Sequence, residues 1–179
     1  MIKNNINEVK TNSMSNSLIE EYLKDPEIIK YNDLENYNSI EELLPNNKDY
    51  VILLYESLPN EGHWTCLLRI DDTIEYFDSY GKPVDYPIDN WFKGNSSQQN
   101  KYLSKLLNKT KLKVYYNPID YQQSKPDIST CGRHCCFRII NMNKYNRDLS
   151  KYHNVMKELK GKSKYNYDEI VSYMINLMD

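Results

Sequence analysis

One cysteine in this sequence has the surroundings that a nucleophile requires. Cys131 follows the loop segment 124–130 and is predicted to open a helix. The first turn of a helix leaves backbone N–H groups free and carries positive potential, which favours a thiolate over a thiol. Gly132 comes next and lets another segment of chain approach the backbone closely. The alternative is a small apolar side chain packed beneath a helix, because unpaired cysteine is among the most buried residue types.

A thiolate nucleophile needs a base, and His63 is the histidine best placed to act as one. It begins a predicted strand that turns at Asp71-Asp72 into a second strand. A two-residue turn puts Thr65 opposite Asp78, so His63 and Asp78 fall diagonally on one face of adjacent strands, within hydrogen-bonding reach. The carboxylate would then fix the tautomer of the imidazole and stabilise its cation. Taken singly, His63 also suits a half-exposed strand end, and Asp78 suits a turn.

The elements that must position these side chains follow from the hydrophobic pattern. The order is helices, then a mostly antiparallel central sheet, then helices, which predicts an α+β fold with Cys131 at the N-terminus of a central helix. Residues 1–16 are polar and without a period, and are predicted to be a flexible arm or an irregular wrap. Without a repeat or a linker, residues 1–179 are interpreted as a single domain. Strands are predicted at 49–56, 63–70, 73–79 and 112–116, and helices at 17–24, 40–44, 96–109, 131–143, 149–159 and 168–178.

Composition limits the classes of function. With 40% hydrophobic and 27% charged residues, the 179-residue chain can bury a core. A formal charge of −2 gives no electrostatic case for a nucleic-acid binder. No segment is long and apolar enough for a membrane span or a secretory signal, so we expect no membrane association. Four cysteines, three of them within residues 131–136, form a poor disulfide framework and indicate a reducing compartment.

Three segments occur here in the order found in the adenovirus-type maturation proteases, which this chain resembles. They are Gly62-His63-Trp64, Tyr76–Gly81 and Cys131–Cys136, with Gln123 and Pro126 ahead of the last. That clan of cysteine peptidases also contains the SUMO and ubiquitin-like deconjugases and the capsid proteases of large DNA viruses and virophages. The likeness covers about residues 50–140 and hardly extends to the flanks.

The resemblance implies a role for each matching residue. Cys131 would be the nucleophile, His63 its base and Asp78 the residue that orients the base. A glutamine would supply a side-chain N–H to the oxyanion hole beside the backbone N–H of Cys131. Gln123 is preferred for this role and Gln122 is held in reserve, because the spacing to the cysteine is slightly longer than the family's usual gap.

Substrate binding is also implied by the resemblance. In such enzymes the tryptophan after the catalytic histidine, here Trp64, roofs the channel that holds the substrate residues before the cut, and Gly132 would let the substrate chain approach. A narrow channel admits only small residues, so cleavage at glycine-containing sites is the implied specificity.

The function implied is a cysteine endopeptidase that processes capsid or core precursor proteins, without a metal or other cofactor, in the virion and in viral factories of the host cytoplasm. The adenovirus enzyme is stimulated by DNA and by a disulfide-linked peptide. The net charge argues against DNA here, and an activating peptide stays open as a partner.

Three rival functions remain. The same catalytic residues would serve a deconjugase that removes ubiquitin-like modifiers. Cys131, His134, Cys135 and Cys136 could instead bind zinc with Cys66 or His63, but four candidate ligands on one and a half helical turns cannot close a tetrahedron. A non-catalytic structural module is the third possibility, and the complete set of His63, Asp78 and Cys131 argues against it.

Overall fold

The computed structural model describes residues 2–59, 61–91, 100–144 and 149–176 and shows a five-stranded sheet with helices on both faces. The strands lie side by side in chain order. They are β1 Ile28–Lys30, β2 Tyr50–Leu58, β3 Glu61–Ile70, β4 Thr73–Phe77 and β5 Lys113–Tyr116. The helices are α1 Ile2–Thr11, α2 Asn16–Tyr22, α3 Ile40–Leu43, α4 Tyr86–Asn90, α5 Tyr102–Lys109, α6 Cys131–Lys144, α7 Leu149–Lys162 and α8 Tyr167–Asn176, with a 3₁₀ turn at Tyr31–Asn36.

The continuous apolar run of β2 is explained by burial on both faces of the sheet. Ile52 and Leu54 pack on the side that holds α6, whereas Val51, Leu53 and Tyr55 pack on the side that holds α3 and α5. Successive side chains of a strand point to opposite faces, so only a strand covered on both sides needs every position apolar. The sequence-based interpretation of this run is therefore confirmed.

The register of the central hairpin is the one that a two-residue turn predicts. Ile70 pairs with Thr73 and Cys66 pairs with Phe77. One residue further out, this antiparallel register carries the chain to Thr65 and to the position just after β4. The long central pairs β2–β3 and β3–β4 are antiparallel, and the short edge pairs β1–β2 and β4–β5 are parallel. The α+β class is confirmed, with parallel pairing confined to the edges.

The N-terminal segment differs from the sequence-based expectation. Residues 2–11 form helix α1, which packs on α8 and is joined to it by an ion pair of 3.2 Å between Lys10 and Glu169. Ile6 is a buried residue of this helix. The segment has few apolar residues and no clear apolar period in the sequence, which is why the pattern predicts no helix there. The predicted helix start near residue 96 lies outside the described residues.

The helix that begins at Cys131 is tied to the sheet by a buried ion pair. Arg138 of α6 donates two hydrogen bonds to the carboxylate of Glu75 on β4, at 2.9 and 2.6 Å. Both residues are 1% exposed. A bidentate pair of this kind fixes distance and angle together, so α6 and β4 are held in one relative position. Within the described ranges, no helix has the length and apolar character required to cross a bilayer.

Removing one partner of this pair should destabilise the fold. Glu75→Gln leaves the Arg138 cation buried without a counter-charge, and we expect the free energy of unfolding, measured by urea denaturation, to fall by about 3–5 kcal/mol. Replacing both residues by methionine should recover most of that loss, because no charge then stays buried. A single variant within about 1 kcal/mol of the unsubstituted protein would contradict this role.

Candidate active site

The first residue of α6 is a cysteine whose sulfur faces the ends of the central strands. Cys131 is 7% exposed, and the backbone N–H of Trp64 on β3 points to its sulfur at 3.5 Å. The backbone N–H of Gly132, in the first turn of the helix, also favours the ionised sulfur. The position at a helix N-terminus is the one expected from the sequence.

His63 lies between this sulfur and a buried carboxylate. Its Nε2 atom is 3.0 Å from Oδ1 of Asp78, which leaves Nδ1 for the hydrogen bond to Cys131. The Asp78 carboxylate is fully buried and also accepts a hydrogen bond from the backbone N–H of Tyr80, at 2.8 Å. Asp78 thus shapes the turn after β4 and contacts the imidazole, so its two sequence-based interpretations both describe this residue.

The electrostatics of this group favour an ion pair. Burial lowers the pKa of His63, but the charge and hydrogen bond of Asp78, helped by Cys131, outweigh burial and raise it to about 10. Burial raises the pKa of Cys131, but the hydrogen bond and charge of His63, with the two backbone N–H groups, bring it below its ordinary value. A thiolate beside an imidazolium is therefore the favoured state.

The other cysteines of α6 have the opposite electrostatics. Cys135 and Cys136 are fully buried, and burial raises the pKa of each thiol. Cys66 on β3 is also buried and free. Of the three cysteines on this helix, Cys131 is the one beside the His63 imidazole, so it is the one whose thiol ionises readily. Cys135 and Cys136 are core residues, as the sequence predicts.

Of the two adjacent glutamines, the structure brings Gln122 and not Gln123 to the cysteine. Gln122 is 2% exposed and lines the same cavity as Cys131 and His63. Gln123 does not line this cavity; it borders a second cavity, beside Lys160, which Gln122 also reaches. The preference for Gln123 is therefore corrected to Gln122, the reserve candidate. The loop between β5 and α6 is irregular, so chain spacing alone does not predict which side chain turns inward.

The side-chain amide of Gln122 is held in one orientation. Its Oε1 atom accepts a hydrogen bond of 2.8 Å from the hydroxyl of Ser79, which directly follows Asp78. The backbone carbonyl of Ser79 accepts from the N–H groups of Tyr121 and Gln122. With the oxygen bound to Ser79, Nε2 donates one hydrogen bond to the Ile128 carbonyl at 3.4 Å, and its second N–H is left available as a donor in the cavity that Gln122 shares with Cys131.

We call the cavity beside Cys131 the cleft; its volume is about 390 Å³. Two aromatic rings stand next to His63 there, with centroid distances of 5.1 Å for Trp91 and 5.2 Å for Tyr80. Trp91 is 42% exposed, which leaves part of its ring available for contact. The cleft is lined by Ser13, Ser57, Glu61, Gly62, His63, Tyr80, Trp91, Gln122, Ile128, Ser129 and Cys131.

The placement of Trp64 differs from the expectation that it roofs a substrate channel. Its side chain is 2% exposed in the core beneath α6, and its Nε1 donates to the carbonyl of Met14 at 3.1 Å. Successive residues of a strand face opposite ways, so the residue after His63 points away from the cleft. The exposed tryptophan of the cleft is Trp91, which follows the short helix α4 and carries no local sequence signal.

Gly132 is not among the residues that line the cleft. A Cβ atom at this position would lie 3.0 Å from Cβ of Met14, so the missing side chain makes room for the protein's own N-terminal segment. The close contact that this structure shows at Gly132 is with the side chain of Met14.

Residues 10–14, which we call the N-terminal strap, lie beside the segments that surround Cys131. Three alternate backbone carbonyls of the strap accept hydrogen bonds from residues around Cys131. The pairs are Lys10 with the Ser129 N–H at 2.7 Å, Asn12 with Arg133 Nη1 at 2.6 Å, and Met14 with Trp64 Nε1 at 3.1 Å. Ser13 of the strap lines the cleft. The strap therefore forms part of the cleft wall and is hydrogen-bonded to residues before and after Cys131 and to the residue after His63.

The remaining histidines lie elsewhere. His134 bonds to Asp168 at 3.1 Å and His153 bonds to the Tyr121 hydroxyl at 2.5 Å. Among the described residues, no three histidine, cysteine or acidic side chains are grouped as metal ligands. A larger cavity of about 510 Å³ lies beside β5, and its lining includes His153 but no cysteine.

The ion pair predicts how the reactivity of Cys131 depends on pH. In His63→Ala the cation that lowers the cysteine pKa is gone, so the midpoint of iodoacetamide alkylation should move to higher pH. The rate at neutral pH should then fall by roughly tenfold or more, since only the thiolate reacts. Mass spectrometry of the Cys131 peptide gives the rate at each pH. His153→Ala is the matched control and should behave as the unsubstituted protein; an unchanged midpoint in His63→Ala would contradict the ion pair.

Known proteins resemble this chain in their fold and in their sequence. No family model matches it. Among solved structures, ASFV pS273R protease superposes with a TM-score of 0.50 at 16% identity, covering 92% of this chain and 67% of that chain. The C-terminal Ulp1 protease domain, solved in complex with the yeast ortholog of SUMO, gives a TM-score of 0.41 at 13% identity over 96% of this chain and 80% of that one. Both are proteases; the first likeness establishes the fold alone, and the second is too weak to support an argument.

A closer relative is found by sequence. Uncharacterized protein V9 of Sputnik virophage is 37% identical over 140 residues, which span 72% of this chain and 79% of V9. That identity and coverage show that the chain belongs to the family of Sputnik virophage protein V9.

Proposed function

We propose that this protein is a cysteine endopeptidase that processes virion precursor proteins. The observation that carries the proposal is the joining of Cys131, His63 and Asp78 in one buried group, with Gln122 beside it. A nucleophile in contact with a base, which is itself oriented by a third group, is the arrangement that acyl transfer requires. The protease fold of the ASFV relative supports the same reaction class.

The first half of the reaction forms a thioester. The Cys131 thiolate attacks the carbonyl carbon of the scissile peptide bond, and the carbonyl oxygen becomes an oxyanion. The backbone N–H of Cys131 and Nε2 of Gln122 donate to that oxygen. As the C–N bond breaks, the His63 imidazolium gives its proton to the departing amine, and the acyl group stays on sulfur.

The second half restores the enzyme. His63, now neutral, takes a proton from a water molecule that attacks the thioester carbonyl. The second oxyanion is bound by the same two donors, and the carboxylic acid product leaves as the thiolate re-forms beside the imidazolium. Asp78 keeps the imidazole in the tautomer that both halves need, with Nε2–H directed to the carboxylate.

The proposed cleavage sites contain glycine or another small residue next to the cut. The aromatic rings of Trp91 and Tyr80 stand against His63 and limit the width of the cleft, which disfavours bulky side chains there. Removal of a ubiquitin-like modifier would use the same atoms and the same small residues. The relationship to a virophage protein favours virion processing, with capsid or core precursors as substrates, acting in viral factories and in the virion.

Loss of the nucleophile should abolish cleavage. We expect Cys131→Ala to stop processing of a glycine-containing capsid precursor in purified mixtures, as followed by gel electrophoresis and mass spectrometry of the fragments. Cys136→Ala is the matched control, because its buried thiol lies on the same helix away from His63. Retained cleavage in Cys131→Ala would contradict the proposal, and labelling of Cys131 by ubiquitin-like propargyl probes without precursor cleavage would favour the deconjugase.

The Asp78 carboxylate should matter for rate more than for folding. Asp78→Asn can keep the turn, since the oxygen that faces His63 Nε2 also accepts from the Tyr80 N–H, but it removes the negative charge that stabilises the His63 cation. We expect kcat to fall by up to about 10⁴-fold with an unchanged circular-dichroism spectrum. A rate near that of the unsubstituted protein would mean that another residue orients the base.

A further inference from the structure

One buried carboxylate outside the catalytic group contacts three segments that surround it. Asp168, near the start of α8, is fully buried. Its Oδ1 accepts from the Thr130 hydroxyl at 2.5 Å and from His134 Nε2 at 3.1 Å, and its Oδ2 accepts from the backbone N–H of Gln123 at 3.1 Å. A buried charge with three charge-assisted hydrogen bonds is a rigid connection.

The three partners of Asp168 adjoin the two groups proposed to bind the oxyanion. Thr130 directly precedes Cys131, whose backbone N–H is one donor. Gln123 directly follows Gln122, whose amide is the other donor. The backbone N–H of His134 bonds to the Thr130 carbonyl as the first hydrogen bond of α6, so Thr130 and His134 are joined through the helix as well as through Asp168. The separation of the two oxyanion donors is thus set by one carboxylate that touches neither.

The ionised form of Asp168 is the one that satisfies all three donors. Burial alone would raise its pKa, but the hydrogen bond and charge of His134, with the bonds from Thr130 and Gln123, lower it. A carboxylate has only acceptor sites, whereas an asparagine of the same size has one oxygen and an amide that donates. In Asp168→Asn the new amide faces either the Gln123 N–H, which is another donor, or the Thr130 hydroxyl and His134, which must then accept instead of donate. Either arrangement changes the bonds that hold the loop carrying Gln122.

We propose that Asp168 is a positioning residue that sets the geometry of the oxyanion hole. The inference rests on the proposed protease function, since an oxyanion hole has meaning only for acyl transfer. It assigns to Asp168 no contact with substrate and no part in forming the thiolate, which depends on His63 and Asp78.

Two reactions of the same cysteine separate this role from a general loss of structure. Alkylation by iodoacetamide needs the thiolate but no oxyanion hole, whereas hydrolysis of a fluorogenic amide ending in two glycines needs both. For Asp168→Asn we expect alkylation of Cys131 within about twofold of the unsubstituted rate, and a kcat lower by about 10²- to 10³-fold with little change in KM. Gln122→Ala should give the same split, and adding Asp168→Asn to it should cost little more, because the separation of the two donors no longer matters once the Gln122 donor is gone.

Further variants distinguish the effect of losing the Asp168 hydrogen bonds from the effect of any other change in the loop before α6. Asp127→Asn changes an exposed aspartate of the same loop and should leave both reactions unchanged. If Asp168→Asn does not fold, Thr130→Val, which removes one donor, should still lower kcat without slowing alkylation, and Thr130→Ser should restore it. Hydrolysis by Asp168→Asn within about threefold of normal, or loss of alkylation in parallel with hydrolysis, would overturn the positioning role alone. An unsubstituted protein that alkylates but cleaves neither amide nor precursor would overturn the proposed function as well.

Discussion

The site depends on the pairing of a buried thiolate with a buried imidazolium. Burial opposes both ions, since it raises the pKa of a thiol and lowers that of an imidazole. Cys135, one turn further along the same helix, has no imidazole beside its sulfur, and burial raises its pKa. At Cys131 the helix N-terminus and His63 lower the pKa of the thiol despite its burial. The charge and hydrogen bond of Asp78 raise the pKa of His63 despite the burial of the ring. The cation of His63 therefore depends on Asp78, and the thiolate of Cys131 depends on His63.

Buried charged groups stabilise one another only at short, fixed distances. Several contacts fix the position of α6, which carries Cys131, relative to the strands that carry His63 and precede Asp78. The buried pair of Glu75 and Arg138 ties the helix to β4, the strand that ends just before Asp78. The N-terminal strap bonds to the loop before the helix, to its first turn and to the residue after His63. Asp168 adds a connection from α8. Sheet, N-terminus and C-terminal helix therefore all hold α6 and the loop before it in place, which is what a preorganised site requires.

Regular elements made much of this site predictable from the sequence. The hairpin has a two-residue turn and a strict period of two, so the approach of His63 to Asp78 follows from counting residues. Cys131 at a helix start follows from the preceding loop and the apolar side of α6. The two-sided burial of β2 follows from its unbroken apolar run.

Irregular segments account for what the sequence did not predict. Gln122 and Gln123 are adjacent in a loop with no period, and tertiary contacts with Ser79 and Asp168 decide which side chain enters the cleft. The strap acts through backbone carbonyls, which every residue has, so side-chain patterns carry no trace of it.

The protonation state of His63 tests the central claim most directly. Nuclear magnetic resonance of a protein labelled with ¹⁵N at histidine reports whether each imidazole nitrogen carries a proton. We expect both nitrogens of His63 to be protonated at neutral pH and the ring to titrate with a pKa of about 10. In Cys131→Ser we expect a lower pKa for the ring, because the thiolate is gone. A neutral His63 ring at neutral pH in the unsubstituted protein would contradict the ion pair on which the site depends.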